Sequence, residues 1–328
     1  MVRPLLEEKV ILAKKCTACG GCSAVCPVEC FDLSESTATI ARHCIECLRC
    51  DGVCPVLEGY DPDVGFYREF VAAKSKFPGQ DGGLTQAVLH KLFEEELIDC
   101  AVGVTSDEDW KPYPKIIKSF DEFREMALSR YTYSPLLPAV HQAVQEGYRR
   151  ICVIGVGCQV HSAGMARENV RELGSSIAFL LGLVCTKTFQ TSKFLEYLAK
   201  NGIANVTDVK KFDITKGKLI IEWGENQQFT DRIKKLGTIA REGCWACEDV
   251  CAMSADISLG AVGADSGYNS VIVRSSYGME LWERLAPSLV DIQPAKLSPM
   301  QRLNEIKRTE VEDYLTQLGE EFKLRTQV

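Results

Sequence analysis

CTACGGCSAVCP (Cys16–Pro27) returns 28 residues later as CIECLRCDGVCP (Cys44–Pro55), and both stretches have the form C-x2-C-x2-C-x3-C-P. Three closely spaced thiolates wrap one iron–sulfur cluster, and the fourth cysteine of each run completes the other cluster. On that rule Cys16, Cys19, Cys22 and Cys54 hold one [4Fe-4S] cluster, and Cys44, Cys47, Cys50 and Cys26 hold a second. Gly20 and Gly21 are expected to let backbone amides approach the sulfurs. The proline after each fourth cysteine is expected to stop a helix from continuing there. Zinc is the plain alternative, but its sites usually use cysteine pairs separated by longer loops. Cys30 lies outside the pattern and reads as a packed thiol.

The rest of the composition fits around these runs. The chain has 328 residues, of which 46% are hydrophobic and 25% charged, so a disordered or fibrous protein is excluded. Sixteen cysteines are too many for chance core residues. No export signal precedes them, so metal binding in the cytoplasm is expected rather than a disulfide framework. The longest apolar run, Ile177 to Cys185, is far short of the roughly 20 residues of a membrane helix, so no direct membrane insertion is expected. A net charge of -7 argues against nucleic acid as a partner.

After Pro55 the turn-rich Glu58–Asp63 marks a boundary, giving residues 1–62 as a small cluster-binding domain and 63–328 as a second domain. Leu84, Val88 and Leu92 recur four apart and predict a helix behind Asp81-Gly82-Gly83. Strands are expected at Ile98–Val104, Arg149–Ile154 and Ile177–Cys185. A helix is expected at Thr191–Lys200, and a hairpin over Lys211–Trp223 with Lys216-Gly217 in its turn. Glu280–Leu285 and Ser298–Leu318 read as helices. The alternation predicts a mixed α/β domain behind an α+β two-cluster module.

A third cysteine group, Cys244-x2-Cys247-x3-Cys251, supplies up to three ligands and needs at least one from elsewhere. Cys158 and Cys185 each follow a predicted strand, where loops build sites. Cys100 and Cys152 lie inside apolar strands and read as core. Three four-thiol clusters take about 12 of the cysteines. Spacing alone then favours Cys251 as a ligand, and leaves Cys158 and Cys185 as rivals for the last place. Gln80-Asp81-Gly82-Gly83 before a helix suits a phosphate, with an ordinary Asp cap as the alternative. Gly155-x-Gly157 lacks the third glycine of a nicotinamide-binding turn, because position 160 is Val160, so an ordinary Rossmann unit is rejected. His161 reads as an exposed loop residue that could orient a cofactor.

Together these segments resemble the family of beta subunits of coenzyme F420 hydrogenases and dehydrogenases. The stretches that carry the resemblance are Phe70–Val104, Ser129–Pro135 (SRYTYSP), Gly157–Val160 (GCQV), Gly182–Cys185 (GLVC), Cys244–Gly260 (CWACEDVCAMSADISLG) and YNSVIVR from Tyr268. With a ferredoxin-like module in front, the chain is most similar to the electron-input subunits of archaeal reduced-F420 dehydrogenase complexes, which belong to methanogenesis. The resemblance implies FAD and one [4Fe-4S] cluster in the α/β domain, with coenzyme F420 as the hydride substrate. It implies FAD contacts at Gln80, Asp81, Gly82, Gly83, Tyr131, Ser134, Gly157 and Gln159. It implies Cys158, Cys185, Cys244 and Cys247 as the third ligand set, with Cys251 in reserve. FAD and the deazaflavin would carry the chemistry, so no catalytic triad is expected. Arg124, Arg130, Arg149, Arg150 and Lys187 are candidates for a basic groove that grips the coenzyme's phosphate and carboxylates.

The expected partner is a ferredoxin or a larger redox complex of the membrane dehydrogenase, hydrogenase, formate dehydrogenase or heterodisulfide reductase type. Any membrane attachment is expected to run through that partner. The rival readings are a same-family ferredoxin-dependent reductase acting on another substrate, and a non-catalytic electron-transfer subunit.

Overall fold

The nearly continuous apolar runs ICVIGV and IAFLLGL belong to strands covered on both faces. They pair in parallel at the heart of an eight-stranded sheet. The structure is a computed structural model that describes residues 4–60, 63–79, 81–126, 131–203, 205–215, 217–225 and 227–325. The N-terminal segment forms α1 (Gly21–Ala24), a hairpin of β1 (Phe31–Leu33) and β2 (Ala38–Ile40), and α2 (Pro55–Glu58). Then follow β3 (Glu69–Lys74), α3 (Leu84–Glu94), β4 (Cys100–Ser106), β5 (Pro112–Ile117), α4 (Phe120–Met126), α5 (Leu137–Gln145), β6 (Ile151–Val156), α6 (Gly157–Asn169), α7 (Arg171–Gly174) and β7 (Ile177–Leu183). The chain continues with α8 (Thr191–Lys200), β8 (Val209–Thr215), β9 (Lys218–Trp223), β10 (Gln227–Arg232), β11 (Ile257–Gly260), β12 (Asn269–Val273), α9 (Ser276–Leu285), β13 (Asp291–Pro294) and α10 (Leu297–Arg325).

The large sheet has the order β13-β3-β12-β11-β7-β6-β4-β5. β4, β6, β7 and β11 run parallel. β12 is antiparallel to both β11 and β3, so β3 shares their direction. β5 and β13 run the other way. The expected mixed α/β domain is therefore present, as a mixed sheet. Side chains alternate across it: Ile151 and Val153 join one core with α5 and α6, while Cys152 and Ile154 join the other with α3 and α9. Cys100 and Cys152 are buried in these two cores, as expected.

The N-terminal segment does not stand apart. Cys19, Ala24, Val25 and Val53 belong to the same core as α5 and α6. The backbone N–H groups of Leu136 and Leu137 both donate to the Cys19 carbonyl, at 3.2 and 3.3 Å. Ser162 Oγ donates to the Val53 carbonyl at 2.8 Å. The proposed boundary falls at Pro62, which lies outside the described residues.

Several local expectations need correction. Pro55 opens α2 at its first position instead of halting a helix, because proline's fixed φ suits that position and its missing N–H has no partner to lose. The predicted hairpin is the first half of a meander, since β10 pairs antiparallel with β9. β10 reads QQFTDR and buries none of its residues fully, so its sequence shows little apolar alternation. Lys216 in the turn lies outside the described residues. The last helix, α10, spans 29 residues and runs further than its apolar pattern suggests. Among the described residues no helix is long and apolar enough to cross a membrane.

Candidate functional site

In a parallel sheet the loops after the strands converge at the carboxyl edge, where ligands of α/β proteins bind. Here β6 delivers Cys158 in the first turn of α6, and β7 is followed by Cys185 two residues on. A short 3-10 turn at Glu242–Trp245 brings Cys244 to the same place, with Cys247 just beyond it. These four cysteines line one cavity with Thr17, Tyr133, Gly157, Thr188, Arg241, Gly243 and Asp249. Cys251 is not among them. It is fully buried elsewhere, beside Val64, Val250, Ile272 and Met300, and its sulfur accepts from Asn304 Nδ2 at 3.3 Å. The spacing argument for Cys251 therefore fails: the chain turns after Cys247 and carries position 251 into a separate core.

A second cavity is lined by Cys16, Cys19, Cys22 and Cys54, the set expected from the interleaving rule. Each cavity is lined by four cysteines. Thr17 lines both. Gly243 explains how they come so close: a Cβ there would lie 2.0 Å from the Cys16 carbonyl oxygen. Cys50, Cys44 and Cys47 are near enough for their charges to act on one another. Cys26 and Cys44 pack in the cluster that holds Cys50. Cys30 is buried beside this third set, 3.5 Å from the Cys26 sulfur, and burial pushes its thiol up to about 12.

The donors are thiols set around cavities, with backbone N–H groups aimed at their sulfurs, a set that fits an iron–sulfur cluster. Among the described residues no three His, Cys, Asp or Glu side chains gather closely enough to hold a single ion. The thiols ring cavities instead. Thr188 N donates to Cys244 Sγ at 3.4 Å, and Ala18 N to Cys16 Sγ at 3.4 Å. Such N–H donors stabilise cluster sulfurs. The Gly21 amide donates to Cys19, as expected of the glycine pair. Gly20 and Gly21 also admit neighbours: added Cβ atoms would meet Pro138 at 2.6 Å and Ser162 Oγ at 2.0 Å. Burial pushes the Cys54 thiol up to about 12 and holds Cys19 and Cys22 above their usual range. Around the downstream cavity, a hydrogen bond between Cys158 and Cys247 raises the first thiol and lowers the second. Tyr60 Oη is buried without a partner among the described residues, close enough to Cys247, Cys158 and Cys54 to feel their charge.

The residues tied to FAD fall into two groups. Gly82 and Gly83 follow β3 at the carboxyl edge and press on backbone: added Cβ atoms would lie 2.5 Å from the Ala73 carbonyl and 2.3 Å from that of Phe77. Asn269 Oδ1 accepts from Leu84 N at 3.1 Å at the start of α3. Burial raises the Asp81 carboxyl above its usual range, with a further push from Asp213 of β8. Tyr131 packs edge-on to Phe212 of the same strand, at 6.2 Å. Gly157 and Gln159 sit apart from these, beside the thiol cavity. Gln159 is buried, accepting from Val156 N at 3.2 Å and donating to the Ser134 carbonyl at 2.9 Å. Gln80 lies outside the described residues.

Other expectations change. His161 lies on α6 with its side chain only 12% exposed, and its Nε2 is 2.6 Å from Glu58 Oε2, so it fastens α6 to the N-terminal segment. Arg149 and Arg150 precede β6 and sit at the opposite edge from the thiol cavity, held by carbonyls of Val144, Tyr148 and Glu96. Lys187 pairs with Glu310 at 2.7 Å and stacks on Trp245. Arg124 is exposed and faces Asp121 at 3.9 Å. Arg130 lies outside the described residues. The Tyr131–Ser134 segment expected at the site includes Tyr133, whose hydroxyl is 3.6 Å from Cys158 Sγ; sequence reading misses the buried cations Arg241 and Lys307. Tyr133 sits inside a motif that carries the resemblance, so a signal exists. Nothing local marks Arg241 or Lys307.

Family models for the N terminus and the C terminus of the coenzyme F420 hydrogenase/dehydrogenase beta subunit match residues 70–141 and 148–296. A subunit of the F(420)H(2) dehydrogenase of Methanosarcina mazei is 32% identical, over 98% of this chain and 97% of that one. The coenzyme F420-dependent sulfite reductase of Methanocaldococcus jannaschii is 34% identical over 66% of this chain, which spans only 36% of that protein. A chain of the F420-reducing [NiFe] hydrogenase complex from Methanosarcina barkeri has a TM-score of 0.73 at 26% identity, covering 78% of this chain and 93% of that one.

Proposed function

We propose, from the premise that this chain belongs to the family of coenzyme F420 hydrogenase/dehydrogenase beta subunits, that it is an iron–sulfur flavoprotein component of an F420-linked oxidoreductase. In this reading it exchanges hydride with coenzyme F420 and relays single electrons to a partner redox complex. Bound FAD supplies the passage from two-electron to one-electron chemistry, and three [4Fe-4S] clusters supply the one-electron steps.

The observation that carries the reading is the downstream ring of four thiols lying against the N-terminal ring, with Thr17 lining both. Cys158, Cys185, Cys244 and Cys247 would hold the cluster nearest the α/β domain. Cys16, Cys19, Cys22 and Cys54 would hold the next, and Cys26, Cys44, Cys47 and Cys50 the outermost. Cys47 is the exposed cysteine of that last set, between Ile45 and Leu48, which are 51% and 39% exposed. Electrons leaving there would reach a partner at the surface. Gly82 and Gly83 let the loop after β3 press on the Ala73 and Phe77 carbonyls and so fix it at the start of α3, whose positive end favours a phosphate. Tyr133 and Arg241 close one wall of the downstream cavity against water. The chain's residues orient and insulate; no side chain is required as general acid or base. Attachment to a membrane, where it occurs, belongs to the partner, and the chain itself would work in the cytoplasm.

Stopped-flow mixing of the anaerobically purified protein with reduced coenzyme F420 tests this. Rapid bleaching of the flavin band is expected. Flavin that stays oxidised would move the substrate elsewhere within the family, and protein without flavin would leave an electron carrier.

A further inference from the structure

Two full positive charges are buried beside the downstream thiol ring. Arg241 is 1% exposed and Lys307 is 2% exposed. Among the described residues neither forms an ion pair with a carboxylate; Arg241 contacts carbonyls, a hydroxyl, a sulfur and a ring, and Lys307 contacts a carbonyl. Asp249 lines the same cavity, but its carboxylate accepts from Met253 N and pairs with neither cation. A buried cation without a close counter-charge is costly, so an anion in the cavity is favoured. A four-thiolate iron–sulfur cluster is such an anion.

Arg241 has a position that Lys307 lacks. Its Nη1 donates to Thr188 Oγ1 at 3.0 Å and lies 3.8 Å from Cys244 Sγ, on the downstream ring. Its Nη2 donates to the carbonyl of Thr17, between Cys16 and Cys19 of the N-terminal ring. Its Nε donates to the carbonyl of Glu35, and its guanidinium lies 3.3 Å from the ring centre of Tyr133. Lys307 Nζ donates to the Cys244 carbonyl, a second positive charge on the downstream ring only. The other residues lining the N-terminal cavity are Leu6, Val10, Thr17, Ala18, Gly20, Ala38, Val53 and Val56, none of them charged.

We propose that Arg241 is a positioning residue that joins the two adjacent rings and, with Lys307, raises the reduction potential of the downstream cluster relative to its N-terminal neighbour. Each added electron makes a cluster more negative, so fixed positive charge in a dry site favours the reduced state. The pair thus makes the downstream cluster the readier acceptor of an electron from the flavin side. Onward transfer of one electron to the N-terminal cluster, with no proton or bond change, is then less favourable by the same amount, so the pair holds the electron at the downstream cluster until the partner draws it on. This rests on the functional reading above.

The test is a potentiometric titration of the anaerobic holoprotein followed by electron paramagnetic resonance, on wild type, Arg241→Gln, Arg241→Lys and Lys307→Met. In Arg241→Gln the reduced-to-oxidised ratio of the downstream cluster at fixed potential is expected to fall at least tenfold, which is 59 mV for one electron. Arg241→Lys should keep most of the potential while losing the two-ring fork. Lys307→Met should shift the same cluster in the same direction. A titration of Arg241→Gln that overlays wild type overturns the inference. If Arg241→Gln fails to assemble its clusters, Lys307→Met decides: an unchanged potential overturns it. A wild-type protein without a downstream cluster signal would instead sink the functional reading.

Discussion

The N-terminal thiol ring and the downstream one each turn four cysteines into one cavity, yet the chain builds them by opposite means. Cys16, Cys19, Cys22 and Cys54 come from two short runs whose spacing alone sets the ring. Cys158, Cys185, Cys244 and Cys247 come from three distant segments, and only the sheet brings them together. The first wall is apolar side chains, Thr17 and backbone; the second carries the buried Arg241 and Asp249, with Lys307 buried behind it at the Cys244 carbonyl. The lesson is that local spacing specifies ligands where the loop itself wraps the cluster, and says little where the fold gathers them.

The sharpest way to break this comparison is to remove one thiol from the assembled ring. Cys185→Ser should lose about a third of the iron, four of about 12 atoms per chain, while Cys251→Ser keeps all of it. Iron and acid-labile sulfide assays on the two variants read the difference. Equal losses would return Cys251 to the ligand set.

The contact between the rings is the next point of attack. Gly243→Val places side chain where the Cys16 carbonyl lies 2.0 Å from an added Cβ. Overpacking of this kind costs about 1–3 kcal/mol, and the strain falls on both rings. Thermal unfolding should begin earlier than in wild type, and the magnetic interaction between the two clusters should weaken. A milder break is Ser162→Ala, which leaves the buried Val53 carbonyl without its 2.8 Å donor. A loss of about 1 kcal/mol is expected in denaturant unfolding; no change would mean that the N-terminal segment is held by its apolar contacts alone.

What is legible in the sequence follows the same division. The N-terminal ring of Cys16, Cys19, Cys22 and Cys54 can be read from spacing because its geometry is local. α8 can be read to the residue, Thr191–Lys200, because its apolar face repeats cleanly. β10 escapes because it lies exposed on the meander and carries little apolar alternation. Cys251 misleads because a C-x2-C-x3-C run hides the turn after Cys247. Arg241 and Lys307 cannot be found, since their role depends on being 1% and 2% exposed beside cysteines far away in sequence. His161 is misread for the same reason: its partner, Glu58, belongs to the other half of the molecule.

The smallest effect concerns thiols outside both rings. Burial raises Cys100 from its ordinary 9.0 to about 12 and Cys251 to about 11. A thiol whose pKa is higher folded than unfolded adds stability below its unfolded value and loses it as pH rises through the folded value. Stability should therefore decline between pH about 9 and about 12, and part of the decline should vanish in Cys100→Ala. Denaturant unfolding at pH of about 7, 9 and 10.5 checks this; an identical slope in the variant would assign the decline to other groups.

The central claim is that the downstream ring is a cluster site continuous with the N-terminal pair. Iron, acid-labile sulfide and flavin measured together on anaerobically purified wild-type protein test it most directly. The account predicts about 12 irons and one FAD per chain. About 8 irons, with Cys158, Cys185, Cys244 and Cys247 all open to a thiol reagent after unfolding, would contradict it.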